Sequence, residues 1–440
     1  MSPTFASLQV HNYRLWAVGA LVSNTGTWMQ RVAQDWLVLT VLTDHSAVAV
    51  GITTGLQFGP MLVLGPFAGL VADRLPKRRV LMTTQFLMGF WSLLLGLLVV
   101  TGTAELWHVF VLAGMLGVTA AVDAPARQTF VAEMVPEDKL SNAVGLNSAS
   151  FHAGRLIGPA VAGLLIALVG TGPVFLVNAA TFMATLLSLA GMRLRELRPM
   201  PRAPREKGQV REGLRYVRDR PDIMLVMAIV GMVGTFGLNF QMTTALMATS
   251  VYDKGAGQYG LLGSIMAIGS LAGALLAARR ARPRLRLLLG ATAAFGALTT
   301  VSALMPTYEL FALSLIPVGL SSLTLMTAAN TMVQLATDPE MRGRVMSLYM
   351  AIFMGGTPIG APLIGLIGEH FGARWTILLG GVVSMVVAVV ATAYVVRSRR
   401  LRLRYRPLAR PRLVVESPAT RRADVQRRLA AEDVRDASAA

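Results

Sequence analysis

GLVADRLPKRR, residues 69–79, is a short charged stretch between two long apolar segments, and it has the pattern G-x-x-x-D-R-x-x-x-R-R. The apolar segments on either side of it lie at about 47–72 and 80–101. Each is long enough to cross a bilayer as a helix, which takes about twenty residues. Because cytosolic loops between membrane helices are rich in Lys and Arg, the stretch predicts a tight cytosolic turn between two transmembrane helices.

The rest of the chain has the same apolar character. Its 440 residues are 54% hydrophobic and only 15% charged, whereas soluble domains are usually about a quarter charged. We therefore predict an all-α polytopic membrane protein with twelve transmembrane helices. The predicted spans are about 13–41, 47–72, 80–101, 106–132, 141–169, 172–192, 222–250, 257–278, 286–304, 308–336, 344–368 and 374–396.

The basic residues lie in alternate connections between these spans. If the N-terminus is cytosolic, the external connections hold only Lys254 and Arg374. Such an asymmetry predicts that both termini are cytosolic. The cytosolic cations are then in the segments 74–79, 193–220, 279–286 and 342–344 and in the tail from Arg397.

The composition also argues against several other classes of protein. The chain has no cysteine, which excludes disulfides, thiolate metal sites and cysteine nucleophiles. Its five histidines lack metal-binding spacing, and no G-x-x-x-x-G-K-[ST] motif for ATP occurs. The net charge of +18 comes from loops and a tail rather than a basic, aromatic-rich domain, so we expect no nucleic acid partner. We expect no metal, no cofactor and no enzymatic activity.

An internal repeat divides the chain into two halves of six helices each. Gly158 and Gly360 stand in similar Gly-Pro sequences 202 residues apart, and Gly69 and Gly273 each end the second span of a half, 204 apart. Such a repeat is typical of transporters whose substrate site lies between the halves. The predicted parts are an N-terminal half at 1–192, a basic cytosolic linker at 193–221, a C-terminal half at 222–396 and a basic, disordered tail at 397–440.

The linker contains VREGLRYVRDR, residues 210–220, with Val210, Leu214 and Val217 on one helical face. This pattern predicts an amphipathic helix, and its many cations suit the anionic inner surface of the membrane.

The turn at 69–79 resembles the signature loop between helices 2 and 3 of the major facilitator superfamily. With twelve spans, a repeat of six helices and a basic middle loop, the resemblance covers nearly the whole chain. DAPARQTFVAEMV at 123–135 and NAVGLNSASFHAGRLIGP at 142–159 resemble the bacterial branch of drug:proton antiporters and enterobactin exporters. The resemblance implies a bacterial inner-membrane protein that exports a small drug-like or siderophore-like molecule.

Two motifs carry specific expectations. In the family, the 69–79 loop helps to close the cytosolic side, although its cations also suffice to fix topology. The residues that we assign to this cytosolic gate are Gly69, Asp73, Arg74, Arg78, Arg79 and Arg127, with Arg127 as a possible partner of Asp73. The Gly-Pro pattern of the fifth span resembles that of exporters, and small residues also allow close helix packing. Its residues are Gly154, Gly158, Pro159 and Gly163.

The first span is unusual because polar residues lie within an arc of about 140° of its helical face. Charge that faces lipid is costly, so this face must contact protein or water. We predict that it meets polar residues of the fourth and fifth spans in one network of two acids and three arginines, counting Arg127. The predicted cavity and coupling residues are Asn24, Arg31, Gln34, Asp35, Asp123, Asn147 and Arg155.

Asp35 has two interpretations. It can be a proton carrier, because protonation would end its pairing with Arg31 and bias two conformations differently. It can also form a permanent bridge with Arg31 that only allows the helix to enter the membrane. Asp123 is the alternative carrier. A shift of about 203 residues maps Arg31 and Asp35 near Gly234 and Leu238, so the second half has lost these charges.

Together these features predict a secondary transporter that exports a small amphipathic molecule in exchange for protons, as a monomer in contact with membrane lipids. Two alternatives remain open at this point. One is an importer or facilitator of a lipid or nutrient, and the other is a membrane sensor with a transporter fold.

Overall fold

The computed structural model describes residues 3–198, 209–278, 283–338, 340–398, 402–405 and 413–416, with only the backbone for 3–4, 65–74, 209–210, 278, 402–405 and 413–416. Its architecture is helical, as predicted. The first half contains α1 (His11–Leu37), α2 (Ala47–Arg74), α3 (Lys77–Val100), α4 (Leu106–Met134), α5 (Glu137–Val169) and α6 (Thr171–Ala190). The linker contains α7 (Gln209–Arg218). The second half contains α8 (Pro221–Phe236), α9 (Phe240–Leu246), α10 (Ala256–Ala278), α11 (Leu285–Ala303), α12 (Tyr308–Ala336), α13 (Arg342–Phe371) and α14 (Ala373–Ser398).

Within the described ranges, eleven helical segments are long and apolar enough to cross a membrane, and α8 and α9 together make one of them. Helix α1 is not among the eleven because its sequence carries many polar side chains. It nevertheless packs along α5 and α6, which cover its polar residues with protein rather than lipid. With α1 counted, the structure has the twelve predicted spans.

The two halves repeat the same glycine-mediated contacts. Gly154 and Gly158 lie so close to α1 that a methyl group on either would meet its backbone within 2.9 Å. Gly356 and Gly360 hold α13 equally close to α8 at Thr235. Small residues allow such close approach of membrane helices. Both pairs are 202 residues apart, so the structure confirms the predicted pseudo-symmetry.

The first helix of each half ends in the same way. A wide helical turn follows α1 at Val38–Leu42, and another follows α9 at Met247–Val251. Each turn leads to a residue with positive φ, His45 or Asp253. This correspondence is offset by 209 residues rather than 203, so it aligns Asp35 with Thr244 and not with Leu238.

The seventh predicted span, 222–250, is not one continuous helix. Helix α8 ends at Gly237, whose N–H donates to the carbonyl of Val233, and α9 begins after Asn239. The Asn239 amide donates to the Thr235 carbonyl at 2.7 Å and so satisfies an acceptor near the end of α8. The break was not predicted because the segment is long and apolar enough overall to be read as one span.

The linker helix α7 packs against the start of α13. Arg344 forms an ion pair with Glu212 at 2.8 Å, and the Tyr216 hydroxyl donates to Asp338 at 2.9 Å. Val217 is buried, whereas Leu214 is exposed, so the predicted apolar face is only partly used for this contact.

The described part of the tail contains two short strands, and the disorder predicted for the whole tail stays a prediction. Strand β1 (Arg402–Tyr405) pairs antiparallel with β2 (Leu413–Glu416). In this register Leu403 is opposite Val415 and Tyr405 is opposite Leu413. Residues 399–401, 406–412 and 417–440 of the tail lie outside the described ranges.

The halves meet along two seams, α2 with α13 and α5 with α10. The helices are in close contact at the ends that lie farthest from the termini of the chain. There Gly163 lies against Ala256 and Gly260, and Gly365 lies against Ala47. Nearer the chain termini, Gly145 has no described atom outside its own helix within 4 Å of its side-chain position, and Leu271 and Leu275 are exposed. Within the described residues, α5 and α10 are therefore in close contact at the end of the seam farthest from the chain termini and more loosely packed at the end nearest to them.

Candidate functional site: a buried charged cluster between the halves

Asp35 lies near the end of α1, where the two halves contact each other. Its carboxylate is 3% exposed and accepts a hydrogen bond at 3.2 Å from the hydroxyl of Tyr259 on α10. The Tyr259 hydroxyl is also 3.3 Å from the carbonyl oxygen of Gln241 on α9. The Trp36 ring stacks on the Tyr259 ring at 6.1 Å. Asp35 thus contacts the second half directly.

This geometry lacks the pairing of Asp35 with Arg31 that both interpretations of Asp35 assumed. No ion pair within 4 Å joins these two side chains, although they are one helical turn apart. The Arg31 guanidinium instead lies over aromatic rings, 4.5 Å from the centroid of Trp28 and 5.1 Å from that of Phe58. Its buried Nε has no hydrogen-bond partner among the described groups.

Arg155 of α5 lies against the same indole ring. Its guanidinium carbon is 5.4 Å from the Trp28 centroid. Cations are attracted to the face of an indole ring, so Trp28 supplies part of the interaction that a carboxylate would otherwise give. Two arginines therefore share one aromatic ring, and neither pairs with an acid in the described part of the chain.

A small cavity of about 60 Å³ lies beside this pair, between the two halves. Its polar lining comes from both halves, and its remaining wall is apolar. The lining residues are Trp28, Val32, Arg155, Pro159, Phe240, Gln241, Thr244, Tyr259, Leu262, Gly263 and Met266.

Asp123 belongs to a different place, inside the first half. It forms an ion pair with Arg127 at 2.8 Å and accepts hydrogen bonds from Thr84 at 2.7 Å and Gln85 at 2.8 Å. All of these partners lie on α3 and α4. The single network predicted for two acids and three arginines is thus divided into the Asp123–Arg127 pair, the Asp35–Tyr259 contact and the Arg31–Arg155 pair. The network is divided because side chains of α3 donate hydrogen bonds to Asp123 and a side chain of α10 donates one to Asp35. These partners could not be identified from the sequence.

The other predicted cavity residues anchor α1 within the first half. The Gln34 amide donates to Gln57 at 3.2 Å, and the Asn24 amide donates to the Ser150 hydroxyl at 3.2 Å. Asn147 accepts from the Trp16 indole at 3.4 Å. These contacts satisfy polar groups in the membrane interior, where an unpaired one is costly.

The predicted cytosolic gate is described only in part. Arg78 donates to the Leu189 carbonyl at 2.7 Å and so caps the end of α6, where a cation also suits the helix dipole. Arg79 is exposed. Arg127 pairs with Asp123, as given above, and the side chains of Asp73 and Arg74, like the surroundings of Gly69, lie outside the described residues. A role of this group in closing the cytosolic side stays a prediction.

The Gly-Pro motif of α5 provides packing surfaces on two sides. Gly154 and Gly158 face α1, as described above, whereas Gly163 and Pro159 face α10 of the other half at Gly260. The geometry supports the interpretation of these residues as close-packing positions. One of them, Gly158, lies directly against Trp28 of the charged cluster.

Sequence reasoning did not identify Trp28, Phe58 or Tyr259 as parts of the site. A tryptophan three residues before Arg31 within a membrane span was an available signal, because aromatic rings commonly accompany cations that lack an acidic partner. Tyr259 had no comparable signal, since only the packing of the halves brings it to Asp35.

Comparison with known proteins agrees with this architecture. The family described as transmembrane secretion effector matches residues 2–414. The multidrug efflux pump Tap of Mycolicibacterium fortuitum is 28% identical over 402 residues, which cover 88% of this chain and 96% of Tap. The enterobactin exporter EntS of Escherichia coli O1:K1 is 26% identical over 364 residues, covering 82% of this chain and 86% of EntS.

Solved structures show the same fold. A bacterial homolog of the human lysosomal transporter Spinster, in an inward-facing and unoccupied conformation, superposes with a TM-score of 0.66 at 15% identity, covering 90% of this chain and 96% of the other. With its twelve spans, its repeated halves and a family match over nearly its whole length, this chain belongs to the transmembrane secretion effector family of major facilitator superfamily transporters.

Proposed function

We propose that this protein exports a small amphipathic organic molecule across the bacterial inner membrane, by alternating access and in exchange for protons that bind Asp35. The relatives support export, since Tap is described as a multidrug efflux pump and EntS as an enterobactin exporter. The basic connections support cytosolic termini. With that orientation, the close contacts of Gly163 with Ala256 and Gly260 lie toward the outer side of the membrane.

The observation that carries the proton-coupling proposal is the position of Asp35. It is a buried acid in a membrane helix, and such acids commonly mark proton pathways. Its carboxylate accepts a hydrogen bond from the Tyr259 hydroxyl of the opposite half. A carboxylate accepts a stronger hydrogen bond than a neutral carboxyl group does. Protonation of Asp35 would therefore change the strength of a contact between the halves, and with it the balance between two access states.

Asp123 is a weaker candidate for the same role. Its two carboxylate oxygens are bound by Arg127, Thr84 and Gln85, all within the first half. A proton on Asp123 would disturb packing inside one half but would not act directly on a contact between the halves.

The test uses purified protein in proteoliposomes with an imposed pH gradient and a dye that reports lumenal pH. A panel of lipophilic cations, siderophores and antibiotics is added to the wild type, to Asp35→Asn and to Asp44→Asn. Asp44 is an exposed acid just beyond α1 and is the matched control. We expect proton flux with at least one compound in the wild type and in Asp44→Asn, and none in Asp35→Asn.

Full gradient-driven flux in Asp35→Asn would refute the role of Asp35, and the same assay on Asp123→Asn would then test the alternative carrier. If a compound moves down its own gradient without any proton movement in the wild type, the protein is a facilitator and the coupling proposal is wrong. Size-exclusion chromatography of each variant separates loss of coupling from loss of folding.

A further inference from the structure

We propose that Arg31 and Arg155 form an anion-binding subsite and that the exported molecule is an organic acid, carried with its negatively charged group against these two arginines. This inference rests on the export function proposed above and specifies the chemical class of the substrate.

The first argument is the imbalance of charge in the cluster. Two guanidinium groups lie against Trp28, at 4.5 Å and 5.4 Å from its centroid, and neither has an ion-pair partner in the described part of the chain. The one acid nearby on α1, Asp35, is hydrogen-bonded to Tyr259 of the other half. A cation within a membrane protein normally has an acid, a carbonyl or water as partner, so this arrangement leaves a place for an anion.

The second argument is a buried hydrogen-bond donor of Arg31 that has no acceptor. The buried Nε of Arg31 has no acceptor among the described residues. A buried donor without an acceptor costs free energy, and a bound anion would remove that cost. The fork of N–H donors on a guanidinium matches the two oxygens of a carboxylate or a similar oxyanion.

The third argument is the shape and composition of the neighbouring cavity. Arg155 lines it together with Trp28, and the opposite wall contains the apolar side chains Phe240, Leu262 and Met266 of the second half. An acid with an aromatic or aliphatic body would place its charge on the first half and its body against the second. Gln241 and Thr244 add neutral polar groups, and no cation of the second half lines the cavity within the described ranges.

A competing interpretation is that the two arginines are purely structural. In that case the aromatic rings of Trp28 and Phe58 would suffice as partners, and the cavity would accept neutral and cationic molecules as readily as anions. The two interpretations differ in the charge preference of binding, which can be measured at equilibrium without any transport.

The experiment measures binding to the purified full-length protein in lipid nanodiscs by equilibrium dialysis. Three probes share one ring system and differ in charge: 1-naphthoate, 1-naphthamide and 1-naphthylmethylammonium. Empty nanodiscs are measured in parallel to subtract partition into lipid. We expect 1-naphthoate to bind at least about tenfold more tightly than the other two, because hydrogen bonds between charged groups are the strong ones.

Variants then assign the preference to the two arginines. Arg155→Gln and Arg31→Gln should each weaken 1-naphthoate binding by about tenfold while leaving 1-naphthamide nearly unchanged, because only the anion uses the charge. Arg155→Lys retains the charge and should retain part of the preference. Arg14→Gln is the matched control, because Arg14 is an exposed arginine on the same helix, far from the cluster, and it should behave as the wild type.

Equal or weaker binding of 1-naphthoate than of its neutral or cationic analogue by the wild type would overturn the proposal, and so would unchanged binding in both glutamine variants. The wild-type comparison needs no variant and decides the question even if a variant fails to fold. Because binding is measured without a proton gradient, a negative result here leaves proton-coupled export standing. Conversely, loss of coupling in the proteoliposome assay leaves the anion preference testable.

Discussion

The contact between α5 and α1 at Gly158 provides the sharpest test of the packing described above. An alanine methyl group at this position would lie 2.6 Å from Cβ of Trp28 and 2.9 Å from the carbonyl oxygen of Thr25. Non-bonded carbon atoms are in optimal contact at about 3.5–4.0 Å, so the two helices would have to separate by about 1 Å at this point. Neither neighbouring atom is at the end of a flexible side chain, and the strain cannot be relieved by a rotamer change.

The expected loss of stability follows from two opposing effects. Overpacking of a well-packed interior costs about 1–3 kcal/mol. Replacement of glycine by alanine within a helix stabilises the folded state by up to about 1 kcal/mol through higher helix propensity. We therefore expect Gly158→Ala to lower the free energy of unfolding by about 0–2 kcal/mol relative to the wild type, and by about 1–3 kcal/mol relative to a glycine-to-alanine change that meets no neighbour.

Gly145→Ala is the matched control, because Gly145 lies on the same helix and has no atom within 4 Å of its side-chain position. This change should bring only the gain in helix propensity and so leave the protein as stable as the wild type or slightly more stable. Thermal unfolding of both purified variants, followed by tryptophan fluorescence in one detergent, gives the comparison. If Gly158→Ala unfolds at the same temperature as Gly145→Ala or higher, the close contact between α1 and α5 is wrong.

Three further predictions test other contacts. The Ser46 hydroxyl lies 3.3 Å from the Glu369 carboxylate across the two halves, and the chain has no native cysteine. A short, reducible bis-methanethiosulfonate cross-linker on the double variant Ser46→Cys with Glu369→Cys should therefore join the halves and stop transport in proteoliposomes, and a reductant should restore it. Continued transport by fully cross-linked protein would contradict alternating access. Glu133→Gln removes the carboxylate that pairs with Lys77, so we expect it to lower the free energy of unfolding by about 1.5–3 kcal/mol. Thermal unfolding measures this loss, and Asp219→Asn, a change of an exposed acid, is the control. Gly170 and Gly372 follow the ends of α5 and α13 with φ of 83° and 93°, a backbone conformation in which an L side chain is strained. Alanine at either position should therefore lower the free energy of unfolding by about 1–3 kcal/mol. A stability equal to that of Gly145→Ala would refute this prediction.

The internal repeat shows why the architecture was predictable. Gly158 and Gly360 recur 202 residues apart because each allows two helices to pack closely. Close packing matters in a membrane, where hydrophobic burial gives little driving force for helix association. The turn at 69–79 and the other basic connections were equally visible, since loop charge depends only on sequence position. Local irregularities of the helices could not be predicted from the sequence. One of them, the break at Gly237, lies in the first span of the second half, where the structural alignment with α1 differs by six residues from the alignment based on sequence.

The polar face of α1 was also evident from the sequence, because a helix has a fixed period and charge in a membrane must find a partner. Which partner each charge finds depends on residues far away in the chain. Asp35 was expected to pair with Arg31, four residues before it, but it contacts Tyr259, 224 residues after it. Asp123 is bound by Thr84 and Gln85 of a neighbouring helix.

Composition, periodicity and loop charge were enough to predict a membrane protein of two repeated halves with charge buried in the first, because these properties are local or additive along the chain. The repeat and the family resemblance added the prediction of a transporter. The contact of Asp35 with the second half could not be predicted in this way, and neither could the position of Arg31 and Arg155 on Trp28 without an acid in the described part of the chain. Hydrogen bonds and ion pairs act over a few ångströms, and distances of that size between remote residues are set only when the helices pack.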